Sequence, residues 1–178
     1  PGPTIISTGL TNIDLLKNIY LNWEKNFSDL PLAFLHCVSS YPVPDSDANI
    51  SAIKYLKDKL PKSIIGYSDH TIGIESSITA VSMGAKIIEK HFTLDKNFSK
   101  FRDHSLSSDP EELTQLVKSI RKVEKLIGNG IKKIESCEKS IEISVRRSIA
   151  AKKDIPAKNK INFDDLIWVR PGTGISPG

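Results

Sequence analysis

Apolar positions along the chain alternate between short continuous runs and helical stripes. Thr4–Thr8 is a short run broken by Gly9. Thr11 then stands where a helix cap is expected, with Asp14 three residues on. Ile13, Leu16, Tyr20, Trp23 and Phe27 recur at helical spacing and predict one buried helix face. Ala33–Val38 is a second run, followed by SSYPVPDSDANI, which the turn residues mark as a loop. Residues 49–60 predict a helix facing Ile50, Ile53, Leu56 and Leu60 inward. Ile64–Ser68 is a third run, Ile74–Met83 has helical composition stopped by Gly84, and Ala85–Phe92 is a fourth run. Asp109, Pro110 and Glu112 start a last helix with the stripe Leu113, Leu116, Val117, Ile120, Val123 and Leu126, and Gly128 ends it.

The order β-α-β-α-β-α-β, with apolar strands and amphipathic helices, is the pattern of a parallel sheet covered by helices. Four such units are half of an eightfold barrel. An open doubly wound sheet has the same order, but no G-x-G-x-x-G follows any run. Residues 128–143 form a polar connector rich in lysine and glutamate. Beyond it, Arg147–Ala151, Ile161 and Leu166–Val169 are short extended pieces, which read as the start of a small β-rich domain too short for a core of its own. The domain expectation is therefore 1–128, a linker over 129–144, and 145–178.

Composition narrows the class without naming a chemistry. The 178 residues are 39% hydrophobic and 26% charged, with net charge +4. That balance suits a soluble globular protein with lysines on helix faces. No aromatic-basic motif points to nucleic acid, and no apolar run reaches the ~20 residues of a membrane helix. Cys37 and Cys137 suggest no disulfide framework, so a cytoplasmic setting is expected. Pro1 leads almost at once into a strand, and Gly178 follows a turn signal, so both ends read as cut.

Candidate chemistry gathers at the C-terminal ends of the predicted strands. His70 and His91 are 21 residues apart (91 − 70), about one β/α unit. Neighbouring strands lie about 4.8 Å apart, so two such imidazoles can reach one ion. Two ligands alone specify no geometry, and loop-capping histidines fit the spacing too. Alternation puts Glu89 on the face of His91, and Ser68 on the face of His70. Ser7, Ser39, Tyr41 and Asp103 also fall at or after strand ends, the catalytic face of a β/α barrel. A loop cap explains any one of these alone; the cluster from successive strands is harder to attribute to chance. His36, inside an apolar run, reads as a satisfied core histidine, and His104 as a loop residue. Arg170, in RPGTGI, presents a planar guanidinium suited to carboxylate or phosphate.

HCVSSYPVP, IGYSDHTIGIE, GAKIIEKHFTLD, RDHSLSSDP, RRSIAAKKDI and RPGTGI, in this order, resemble the sialic acid (N-acetylneuraminate) synthase family, including its legionaminate and pseudaminate relatives. The resemblance spans nearly the whole chain. It implies an α/β fold: the C-terminal half of a TIM (β/α)8 barrel, strands five to eight, followed by the start of an antifreeze-like domain. It implies condensation of phosphoenolpyruvate with an N-acylated hexosamine, a divalent metal (Mn²⁺ first, with Mg²⁺ or Co²⁺ as alternatives), and a domain-swapped homodimer. By position, His70 and His91 match metal ligands, and Ser7 and Ser68 match phosphoenolpyruvate contacts. Tyr41 and Asp103 match sugar contacts, and Arg170 matches an arginine offered to the partner subunit's sugar. Ser39 stands where some relatives have asparagine. Glu89 resembles an acidic active-site residue. A fragment of this kind is expected to be inactive alone. The competing readings are a metal-dependent aldolase on a similar barrel and a non-catalytic sugar- or partner-binding fragment.

Overall fold

The computed structural model describes residues 2–99 and 103–176; Arg102, at the head of the RDHSLSSDP motif, lies outside them. The chain divides into two compact units, Pro1–Asn129 and Gly130–Gly178.

The first unit follows the predicted order. Strands β1 (Thr4–Ser7), β2 (Leu32–Cys37), β3 (Ile64–Asp69) and β4 (Ile88–Lys90) form one sheet in sequence order. Every pairing is parallel. The connecting helices are α1 (Ile13–Phe27), α2 (Ala52–Lys59) and α3 (Glu75–Ser82), and α4 (Pro110–Ile127) follows β4. The sheet is a curled parallel half-barrel. Its helix side holds the core: Phe34, Ile65 and Tyr67 pack with Leu16, Ile53, Leu56, Leu60 and Ala80. Because strand side chains alternate, this places Ser68 and Glu89 on the opposite, concave face.

Local chemistry explains where the boundaries differ from the predicted ones. The α1 cap is Asn12, whose Oδ1 accepts from the Leu15 amide at 3.0 Å; Thr11 instead donates to Thr8 O at 2.7 Å. The last helix has the expected capping box, Asp109 and Glu112 bonding each other's backbone, and Gly128 at its end has φ 61°. Of its stripe only Leu116 is buried among the described residues, and Leu126 is 73% exposed. The run Ala85–Phe92 contributes only three strand residues, though ladder bonds from Lys86 N to Ile65 O (2.8 Å) and from Tyr67 N to Ile87 O (2.9 Å) precede them. Past the strand, Phe92 bridges to Ser108. His36 is the satisfied core histidine its position suggests: its Nε2 donates to Ala48 O at 2.9 Å and its ring stacks on Tyr67.

The second unit carries structure where the sequence suggested plain connector. Ser136–Glu138 is a single 3₁₀ turn and α5 spans Glu142–Val145. Strands β5 (Ser148–Ala151) and β6 (Leu166–Val169) pair antiparallel, and Ile149 bridges to Ile175. Ser148 Oγ donates to Pro171 O (3.0 Å) and accepts from Gly174 N (2.8 Å), and Gly172 N donates to Ile143 O (2.7 Å). These bonds fold the RPGTGI segment back onto its own unit, with Arg170 exposed in the turn after β6.

Candidate active site

His70 and His91 each lie one residue past their strand, β3 and β4, so the parallel register brings the two rings together. Their centroids are 5.2 Å apart at an interplanar angle of 75°. Tyr41, from the loop after β2, lays its ring 4.2 Å from that of His70 and 5.8 Å from that of His91. Beneath the histidines, Ser68 and Glu89 are register partners, and Ser68 Oγ donates to Glu89 Oε1 at 2.6 Å.

Hydrogen bonding fixes which nitrogens face outward. His70 Nδ1 lies 2.9 Å from Val38 O, which can only accept, so Nδ1 carries a proton and, in the neutral ring, Nε2 is the nitrogen with the lone pair. His91 Nδ1 lies 3.5 Å from the Asp103 carboxylate, a looser contact that also puts an acceptor on the Nδ1 side of the ring. A neutral imidazole held at Nδ1 by an acceptor is the form in which histidine binds a metal. This is the fit the residues offer: two oriented nitrogens on adjacent strands. Among the described residues no group of three or more His, Cys, Asp or Glu side chains stands ready to hold an ion.

The remaining predicted residues are less closely gathered. Ser7 ends β1 opposite Leu35, and Leu35 in turn pairs with Gly66, so Ser7 sits one inward-facing rung below Ser68. Ser39 is exposed just past β2, and a Cβ on Gly9 would strike its hydroxyl, so the segments that follow β1 and β2 approach closely there. Asp103 reaches the pair through its contact with His91. Arg170 belongs to the second unit.

Sequence reasoning missed the residues behind the pair. Asp69 and Lys90 are paired in register on the helix side, with their side chains almost wholly buried. Asp69 accepts bonds from Thr71 and from Ser77 of α3. The available signals were an Asp-x-Thr turn in SDHT and a lysine inside an apolar run in EKH.

Residues 1–132 match the model of the NeuB family. The chain belongs to the NeuB family. It is 45% identical over 182 residues to the N,N'-diacetyllegionaminic acid synthase of Legionella pneumophila, covering 98% of this chain and 49% of that protein. It is 40% identical over 169 residues to the N-acetylneuraminate-9-phosphate synthase of Mus musculus, covering 92% and 45%. Among solved structures it is similar to the N-acetylneuraminic acid synthetase of Leptospira borgpetersenii in complex with citrate, with TM-score 0.71 and 38% identity over 78% of this chain and 47% of that one. This NeuB-family chain thus spans about half the length of the relatives it matches. No helix among the described residues is long and apolar enough to cross a membrane.

Proposed function

We propose that the chain supplies one side of the active site of a nonulosonic acid synthase, condensing phosphoenolpyruvate with an N-acylated hexosamine in its open-chain aldehyde form. The observation that carries this reading is the His70–His91 pair with both Nδ1 atoms facing acceptors, directly above a hydrogen-bonded Ser68–Glu89 pair. His70 and His91 would hold a divalent ion, Mn²⁺ first, and such an ion supplies a Lewis acid for the aldehyde carbonyl.

In the reaction, C3 of phosphoenolpyruvate forms a bond to the aldehyde carbon, water adds at C2, and phosphate leaves with its bridging oxygen as the C2–O bond breaks. Glu89 is suited to accept the proton of the entering water, because Ser68 fixes one of its oxygens and the other has no hydrogen-bond partner among the described residues. Ser68 has a single hydroxyl proton, and Glu89 occupies it; a phosphoenolpyruvate oxygen that takes this donor also frees the Glu89 carboxylate. Ser7 is the second phosphoenolpyruvate contact. Ser39, Tyr41 and Asp103 face the sugar, Tyr41 as an aromatic wall over the histidines and Asp103 while holding His91. The second unit is read as the beginning of an antifreeze-like domain whose Arg170 serves a neighbouring subunit of a domain-swapped dimer.

The test is phosphate release by the full-length protein supplied with phosphoenolpyruvate, Mn²⁺ and N-acetylmannosamine or a diacetylated hexosamine. Release that needs both organic substrates, and that falls at least ~100-fold in Glu89→Gln, is expected. Release independent of the sugar, or unaffected by Glu89→Gln, would remove the reading.

A further inference from the structure

Behind the histidines lies a buried charged cluster that the reaction does not use. Asp69 immediately precedes His70 and Lys90 immediately precedes His91. Side chains alternate along a strand, so this pair points to the helix face where the histidines point to the concave one. Their side chains are 0% and 3% exposed, and they are partners in the β3–β4 register. Lys90 Nζ donates to Asp69 Oδ2 at 3.1 Å and to Thr71 O at 2.8 Å. Asp69 Oδ1 accepts from Thr71 N at 2.8 Å and from Thr71 Oγ1 at 2.7 Å, while Oδ2 also accepts from Ser77 Oγ at 2.6 Å.

The Thr71 and Lys90 bonds hold the residue before His70 to the residue after it, and both to the strand that carries His91, while the Ser77 bond ties Asp69 to α3. The backbone at His70 therefore has little freedom to turn, and its Nδ1 stays within reach of Val38 O. Stability gives little reason for such a cluster, since an apolar pair of equal volume is commonly as stable as a buried ion pair or more so. We propose that Asp69 and Lys90 are positioning residues: from the back of the sheet they set the tautomer of His70 and its distance from His91, without touching anything the histidines bind.

The tautomer part of this inference stands on the geometry alone; its metal part rests on the proposed function. Long-range ¹⁵N–¹H spectra of histidine-labelled full-length protein report the tautomer directly. Wild type is expected to show His70 wholly as the Nδ1–H form. Lys90→Met, which keeps the bulk and removes the charge, is expected to show mixed tautomers for His70. It is also expected to show Mn²⁺ affinity weakened about 10–100-fold, the usual effect of losing an outer-shell partner. Asp69→Asn/Lys90→Met leaves no unpaired charge and is read if the single variant misfolds. Ser77→Ala deletes one hydroxyl and should shift both readouts the same way by less. A merely structural role predicts otherwise: a lower melting temperature, with wild-type His70 tautomer and Mn²⁺ affinity in every folded variant. That result overturns the proposal, as does a wild-type His70 without the Nδ1–H form. If wild type shows the expected tautomer but does not bind Mn²⁺, the ion in the proposed function fails, and the tautomer of the variants still decides the positioning claim.

Discussion

Gly66 is the residue on which the spacing of the two histidine strands depends, and alanine there should be costly. An added Cβ would lie 2.6 Å from Ile87 O and 2.9 Å from Ile87 Cβ, and would crowd the Leu35 side chain. Ordinary contact begins at 3.4 Å, so the Ile87 carbonyl would have to retreat by about 0.8 Å (3.4 − 2.6). That carbonyl already accepts from the Tyr67 amide at 2.9 Å, and Tyr67 is 1% exposed, so retreat would strip a buried donor of its partner. Overpacking of this kind costs about 1–3 kcal/mol. Alanine also restricts the unfolded chain, which offsets about 0.4–1 kcal/mol. Overpacking wins, with a net loss of about 1–2 kcal/mol and, at about 2–4 °C per kcal/mol for a chain of this length, a fall in Tm of about 2–8 °C. Differential scanning calorimetry on Gly66→Ala measures it, with Gly2→Ala as the control, because nothing lies within 4 Å of a Cβ there. A Gly66→Ala protein that melts with wild type would refute the packing argument, and with it the claim that β3 and β4 are held at a fixed distance.

Two further outcomes follow from other parts of the molecule. Burial, with Asp69 adding to it, pushes the Tyr67 phenol well above its usual value. A raised folded-state pKa contributes stability that is present below the unfolded value of about 10 and is lost as pH rises beyond it. Urea midpoints should therefore drop between pH 9 and pH 11 by more in wild type than in Tyr67→Phe, and equal drops would contradict the assignment. If Arg170 serves a neighbouring subunit, Arg170→Ala full-length protein should be inactive alone, and co-refolding it with His91→Ala should restore part of the phosphate release, because a mixed dimer then contains one intact site; no recovery means that Arg170 acts within its own chain, and an active Arg170→Ala protein means that it has no role.

The sheet and its connections were legible because each strand is a short apolar run and each helix a stripe of period 3.6, and a parallel order follows from their alternation. His70 and His91 were legible for the same reason: strand ends one unit apart must be neighbours. What the pattern hid was governed by single hydrogen bonds. Thr11 and Asn12 are both good caps, and only the backbone geometry decides that Asn12 reaches the Leu15 amide. The turns within 130–143 are made by local capping bonds, such as that of Glu135 N to Glu138 Oε2 at 2.8 Å, in a segment without an apolar period. Asp69 and Lys90 were overlooked because each sits beside a more conspicuous histidine. A charge within an apolar run is also easily taken as pointing to the solvent. The sharing of Nδ1 atoms with Val38 O and Asp103 could not be read from sequence at all, since those acceptors come from other strands and loops.

The central claim is that His70 and His91 present two Nε2 atoms to one ion. Calorimetric titration of the full-length protein with Mn²⁺, alongside His70→Ala and His91→Ala, tests it most directly. Wild type should bind, and each variant should lose most of that affinity while keeping its melting transition. Mn²⁺ affinity unchanged in both variants would contradict the account.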